Sequence, residues 1–291
     1  MMLGVWITAA RPKTLWASVS PVIVGSAIAW RDDVLHLPSA LTALAGGVLI
    51  QIGTNLANDL FDHLHGADTE ERRGPLRVTQ SGLATPSQVH TAMVVAFTLA
   101  VVAGVYLVVR GGWPIVGIGL LSIAAGILYT AGPYPLGYHG WGDLLVFIFF
   151  GPVAVVGTYY VQALETTPLV WLASIPMGAL ATAILVVNNL RDAETDRRAG
   201  KLTLAVRLGR GATIGEYVVM VMAAAAIPAV MLAARLGGVA VLAASVPPAA
   251  ALPYMLARLR AWQPEALSSL LANTARLQLL YALVFATGIN L

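Results

Sequence analysis

Two segments, each closing a long apolar run, hold the residues best suited to chemistry: Asn58-Asp59-Leu60-Phe61-Asp62 with Asp68 beyond it, and Asn188-Asn189-Leu190-Arg191-Asp192-Ala193-Glu194-Thr195-Asp196. Acids at a membrane boundary are costly unless a cation, a basic partner or a function compensates them. Asn58 with Asp62, and Asp192 with Asp196, are i,i+4 pairs that project from one helix face a turn apart. Like charges so placed repel each other, and a divalent cation reverses the sign. Mg²⁺ takes octahedral oxygen ligands, keeps several waters, and is usually held by one or two carboxylates plus a substrate's phosphate oxygens. Two facing clusters, drawn from Asn58, Asp59, Asp62, Asp68, Asp192 and Asp196, could hold two such ions with a diphosphate bridging them. The amides of Asn58, Asn188 and Asn189 add neutral oxygens or donors.

Basic residues follow both clusters: Arg72, Arg73 and Arg77 after the first, and Arg191, Arg197, Arg198, Lys201 and Arg207 after the second. Arginine grips phosphate through a planar fork and lysine as a mobile point charge, so Arg72, Arg77, Lys201 and Arg207 are candidate diphosphate ligands. Tyr129 could present its ring face to a cation or bond an aromatic substrate; the bland alternative is a residue of the interfacial aromatic belt, as for Tyr134 and Tyr138. Asp143 could hydrogen-bond an aromatic hydroxyl or simply cap its helix. The five histidines show no HxxxH or HExxH spacing, which argues against a histidine zinc site. The chain has no cysteine, so disulfides, thiolate metal sites and cysteine nucleophiles are excluded.

Positioning these groups falls to membrane helices. Hydrophobic residues make up 58% of the chain and charged ones 11%, with a mean hydropathy of +0.79, outside the range of a soluble protein. The expected fold is all-α: a single polytopic membrane domain over residues 1–291 with nine transmembrane helices around a central cavity. The spans fall near 15–30, 38–60, 90–109, 113–131, 142–162, 168–190, 214–234, 238–257 and 268–290. Arg11-Pro12-Lys13 interrupts any signal-peptide pattern, so the first span is expected to be retained.

With a cytoplasmic N-terminus, Arg31, Arg110 and Arg235 fall outside while the other Lys and Arg fall at the inner side, as the positive-inside bias requires. Both acidic clusters then share the cytoplasmic face. Their i,i+4 pairs are offset by the same 134 residues, which suggests parallel halves, 1–134 and 135–291.

At this point the chain resembles the UbiA-type intramembrane aromatic prenyltransferases, whose signatures are NDxxDxxxD and DxxxD. The resemblance spans nearly the whole length and includes the Ala10-Arg11-Pro12 opening with Thr14. Within the family it is most similar to the branch that prenylates 1,4-dihydroxy-2-naphthoate in menaquinone synthesis. The residues pointing there include Gly66-Ala67-Asp68-Thr69, Gly74-Pro75-Leu76-Arg77, Tyr129-Thr130-Ala131-Gly132-Pro133, Gly140-Trp141-Gly142-Asp143 and Gly200-Lys201-Leu202-Thr203. One departure stands out: the third acid of the first motif is replaced by Gly66, with Asp68 as the substitute.

The resemblance implies a Mg²⁺-dependent transfer from polyprenyl diphosphate to 1,4-dihydroxy-2-naphthoate, with loss of CO₂ and diphosphate. It assigns catalytic work to Asp62, Asp192, Asp196, Lys201 and Tyr129, and contact with the aromatic substrate to Tyr129, Asn188 and Asp143. It implies a multi-pass protein of the cell inner membrane, embedded in the lipid bilayer, with its site open to the cytoplasm and no nucleic-acid partner. Another acceptor, such as 4-hydroxybenzoate or homogentisate, fits the same motifs. A secondary transporter would also carry acids among its helices, although near the midplane and on broken helices.

Overall fold

The computed structural model describes residues 2–66, 76–261 and 263–291, and every regular element among them is helical. A short helix, α1 (Met2–Ala10), precedes α2 (Pro12–Arg31), α3 (Leu37–Leu64), α4 (Pro86–Gly111) and α5 (Trp113–Leu128). A rod over Gly142–Ala163 follows, made of α6 (Gly142–Ile148), a π-helical stretch (Phe149–Val156) and α7 (Gly157–Ala163). Then come α8 (Pro168–Arg198), α9 (Leu204–Ala233), a 3₁₀ turn running into α10 (Val246–Ala261), and α11 (Pro264–Ile289).

Local sequence explains the boundaries. Pro12, Pro38, Pro86, Pro114, Pro168 and Pro264 sit in first turns, where the missing N–H would have no helical partner. Thr85 caps α4 through a reciprocal box with Gln88, and Thr167 and Thr203 cap α8 and α9 with their hydroxyls. Pro152 interrupts the rod's hydrogen-bond ladder within the π-helical stretch. Gly151 in that stretch lies so close to Gly178 of α8 that a Cβ on it would stand 2.9 Å from the Gly178 Cα, so the two backbones meet without side chains between them.

Each span expected from the sequence contains a helix, and seven helices are long and apolar enough to cross a membrane. Trp113–Leu128 is apolar but shorter, and Pro12–Arg31, with its lysine, serines and two prolines, is not among the seven. Helix α8 is the axis of the bundle: 78% of its most apolar stretch is buried, against 22% for α4. Side chains of α2, α9, α11 and the π-helical stretch join α8 in the main core, which includes Ile28, Tyr159, Met177, Leu180, Tyr217 and Phe285. Alternation of the chain through the bundle gathers the ends of α3, α5 and α8 and the starts of α2, α4, α6 and α9 at one end. Both acidic segments lie there.

Candidate active site

Helix α3 delivers Asn55, Asn58, Asp59 and Asp62 in its last turns, and α8 delivers Asn188, Asn189, Asp192 and Asp196 in its last three. Asn58, Asp62, Asn188, Asn189 and Asp192 line one cavity of about 590 Å³, together with Arg77, Tyr129, Thr130 and Lys201. Most of the remaining wall is apolar, from Ile50 on α3 and Val101 on α4 to Ile118 on α5 and Phe149 on the rod. The cavity is amphiphilic, with oxygen and cationic groups at one end and hydrocarbon walls beyond.

The carboxylates do not stand bare. Asp62 Oδ2 accepts from Arg77 Nη2 at 2.6 Å and its Oδ1 from the Tyr138 hydroxyl at 2.8 Å. Asp192 is gripped by Arg191 through a two-pronged fork, Nε to Oδ1 at 2.8 Å and Nη2 to Oδ2 at 2.7 Å. The same Nη2 donates to Asn188 Oδ1 at 2.8 Å. Both ion pairs are almost completely buried, where a lone charge would be prohibitive. Each cluster thus carries its own arginine counter-ion.

Asp59 stands apart from the cavity wall. Its two oxygens accept the backbone N–H groups of Val78 and Thr79, each at 3.0 Å, so it pins the turn that carries Arg77. Asn58 Oδ1 accepts from the Thr130 hydroxyl at 3.1 Å, tying α3 to the end of α5.

Tyr129 follows α5 and lies close enough to Asp143, Asp196 and Asp62 to feel all three charges. Room for its ring comes from two glycines: a Cβ on Gly142 would stand 2.7 Å from the Tyr129 hydroxyl, and one on Gly137 would stand 2.6 Å from the ring. Lys201 lines the cavity with its ammonium 5.2 Å from the centroid of the Tyr138 ring, and its N–H donates to the Asp196 carbonyl at 2.8 Å.

The other expected residues lie off the wall. Asp143 is buried and does not line the cavity, and its backbone carbonyl accepts from the Thr182 hydroxyl. Asp196 is half-buried a turn beyond Asp192. Arg207 is exposed and donates through Nε to the Leu202 carbonyl at 3.0 Å, closing the loop that carries Lys201. Asp68 and Arg72 lie outside the described residues. Tyr138, read from sequence as a belt residue, instead bridges Asp62 and Lys201 and meets the His65 ring edge-on. The only sequence signal for it was its place between two glycine-containing turns.

Among the described residues no three acids or histidines stand together as a ready-made metal cage. The donor set nevertheless fits a hard divalent cation: Asn58, Asp62, Asn188 and Asp192 bring amide and carboxylate oxygens from two helices to one polar pocket end. Mg²⁺ held partly by a substrate's phosphates needs no more than one or two carboxylates of its own.

Fold and site together define a polytopic helical membrane protein built around one deep amphiphilic cavity. Residues 18–280 match the model of the UbiA prenyltransferase family. The 1,4-dihydroxy-2-naphthoate octaprenyltransferase of Mycobacterium tuberculosis is 45% identical over 209 residues, covering 72% of this chain and 71% of the relative. The corresponding enzyme of Escherichia coli is 42% identical over 210 residues, covering 70% and 68%. In fold, the chain is similar to a UbiA homologue from Archaeoglobus fulgidus bound to GPP and Mg²⁺, with a TM-score of 0.61, 13% identity, and 97% and 99% of the two chains covered. This chain belongs to the UbiA prenyltransferase family and is a prenyltransferase of the membrane.

Proposed function

We propose that the chain transfers a polyprenyl group from polyprenyl diphosphate to 1,4-dihydroxy-2-naphthoate, with loss of CO₂ and diphosphate, giving demethylmenaquinol, the quinol form of demethylmenaquinone. The observation that carries this reading is the convergence of Asn58, Asp62, Asn188, Asp192, Arg77 and Lys201 on one end of an otherwise apolar cavity. An amphiphile with a diphosphate head and a hydrocarbon tail matches both ends. The names of the relatives supply the acceptor.

Asn58, Asp62, Asn188 and Asp192, with Asp196 a turn beyond Asp192, would hold Mg²⁺, which would neutralise charge on the departing diphosphate. Lys201 and Arg77 line the same cavity and would add positive charge there, with Arg207 in the first turn of α9 nearby in sequence. As the C–O bond of the donor breaks, the ring of Tyr129, which lines the cavity, would face the allylic cation. The aromatic ring would attack C1 of the chain, with Asn188 on the cavity wall to orient its hydroxyls. The apolar wall excludes water that would otherwise quench the cation.

Arg31, Arg110 and Arg235 lie at the end of the bundle opposite the clusters, while Arg191, Arg197, Arg198, Lys201, Arg207, Arg210, Arg258 and Arg260 lie at the cluster end. This distribution supports a site open to the cytoplasm, in the cell's inner membrane. The test supplies purified protein with Mg²⁺, a polyprenyl diphosphate and 1,4-dihydroxy-2-naphthoate, and reads products by mass. Prenylated ring lacking the carboxylate is expected. Inert naphthoate beside reactive 4-hydroxybenzoate would move the chain to another acceptor class.

A further inference from the structure

From Ala266 to Ile289, across the apolar span of α11, the only charged residue is Arg276. It is exposed, on the same outward stripe as the exposed Leu280 and Leu283 one and two turns on. A cation among lipid-facing leucines is costly to keep without a partner. The side chain turns back toward the cluster end of the bundle, where Nη1 donates to Asn273 Oδ1 at 3.4 Å. Arginine does this to bring its head toward a polar layer. Asn273 nevertheless lies about 14 Å along α11 from its first residue, Pro264, so the charge stays beside the helix's apolar wall rather than at its end.

A second arginine meets the same face of α11. Ser269, one turn before Asn273, accepts at Oγ from Nη2 of Arg258 on α10 at 3.0 Å. Arg258 is half-buried, and its Nε is buried with no hydrogen-bond partner. Among the described residues neither Arg258 nor Arg276 has a carboxylate within ion-pair distance, whereas the buried Arg77 and Arg191 each have one. The nearest acid in sequence, Glu265, is exposed in the first turn of α11 and pairs with neither. Arg210 of α9 adds charge close by, its Nη2 donating to the Arg260 carbonyl. The anchors of the two guanidinium groups, Ser269 and Asn273, stand about 6 Å apart along one helix face. None of these four residues lines the central cavity.

We infer that Arg258, Ser269, Asn273 and Arg276 bind the headgroup of an anionic phospholipid on the membrane face of the α10–α11 pair. The phosphodiester lies between the two guanidinium groups, whose planar forks match its oxygens. The Asn273 amide, with its oxygen taken by Arg276, has N–H groups left to donate to the same phosphate or to a glycerol ester. The acyl chains run along Leu280 and Leu283. The occupant is a lipid rather than a soluble anion because Arg276 stands in a face that bilayer covers, and anionic headgroups concentrate around basic residues at the membrane surface.

The test titrates the purified full chain in neutral detergent with phosphatidylglycerol or phosphatidylcholine of equal chain length, and counts bound lipid by native mass spectrometry. The variants are Arg258→Gln, Arg276→Gln and the two together. The control is Arg31→Gln, an exposed arginine at the opposite end of the bundle. The native chain should prefer phosphatidylglycerol; each single variant should bind it about fivefold more weakly and the double variant about 25-fold, with the control as native. Arg258→Gln also gives up the Ser269 contact, so unfolding midpoints are compared in neutral lipid. Arg276→Gln loses only a bond within α11, and keeps the test decisive if the other variant is unstable. Equal native affinity for the two lipids, undiminished phosphatidylglycerol binding in the double variant, or an equal loss in the control overturns the inference. Displacement of the lipid by millimolar inorganic phosphate overturns it as well, and assigns the arginines to a soluble anion.

Discussion

Arg77 Nη2 stands 2.6 Å from Asp62 Oδ2, with both side chains almost wholly buried at the polar end of the cavity. The pair neutralises a carboxylate that would otherwise repel its neighbours, and holds it where a cation and a diphosphate would come. Arg191 does the same for Asp192 on the facing helix.

Asp62→Asn and Asp192→Asn each remove a carboxylate from the candidate metal end while keeping its shape. Turnover should fall about 100-fold or more in each, since even residues behind metal ligands cost 10- to 100-fold. Unfolding midpoints should stay near native. A variant with near-native rate would remove that acid from the site.

Asp59 acts differently, because its partners are the Val78 and Thr79 amides. Asp59→Ala loses two charge-assisted bonds, worth about 1.5–3 kcal/mol each. The expected signature is a lower unfolding midpoint accompanied by lower activity, with Asp59→Asn intermediate. Lost activity with unchanged stability would instead assign Asp59 to the chemistry.

Replacing Arg191 with Met leaves the Asp192 charge buried and unpaired, a change that costs about 3–5 kcal/mol. Added Mg²⁺ should restore part of that stability, because a ligand bound only by the folded state raises its unfolding midpoint. The comparison is the Mg²⁺-induced shift in midpoint, larger in Arg191→Met than in the native chain. Equal shifts would show that the arginine and the cation do not share Asp192.

A methyl group on Gly142 would meet the Tyr129 hydroxyl at 2.7 Å. Gly142→Ala should therefore reduce turnover by displacing the ring, and Tyr129→Phe in the same chain should recover part of the loss. A double-mutant cycle measures this coupling, and simple additivity would refute the contact's importance.

Much of this site was legible in the sequence. Asn58, Asp62, Asn188 and Asp192 declared themselves because such residues at the end of an apolar helix are expensive, and their spacing put each pair on one face. Where the carboxylates' first partners lie was not legible. Arg77 was read as a diphosphate ligand, since a sequence does not say which negative charge an arginine meets first. Asp59 sits three residues before Asp62, yet it is claimed by backbone nineteen and twenty residues on. Tyr138 looked like a belt aromatic because its link to Asp62 depends on how the turn after α5 folds back. In the fold, helix α1 went unnoticed because Arg11-Pro12 suggested an interruption rather than a joint between two helices, where Arg11 takes a left-handed conformation, φ 53°.

The most direct test of the central claim is the metal dependence of prenyl transfer by the purified chain. Product formation from polyprenyl diphosphate and 1,4-dihydroxy-2-naphthoate should stop in EDTA and return when excess Mg²⁺ is added, with Asp62→Asn and Asp192→Asn failing to recover. Transfer at full rate in EDTA would contradict the assignment of the two carboxylate clusters to a metal-bound diphosphate.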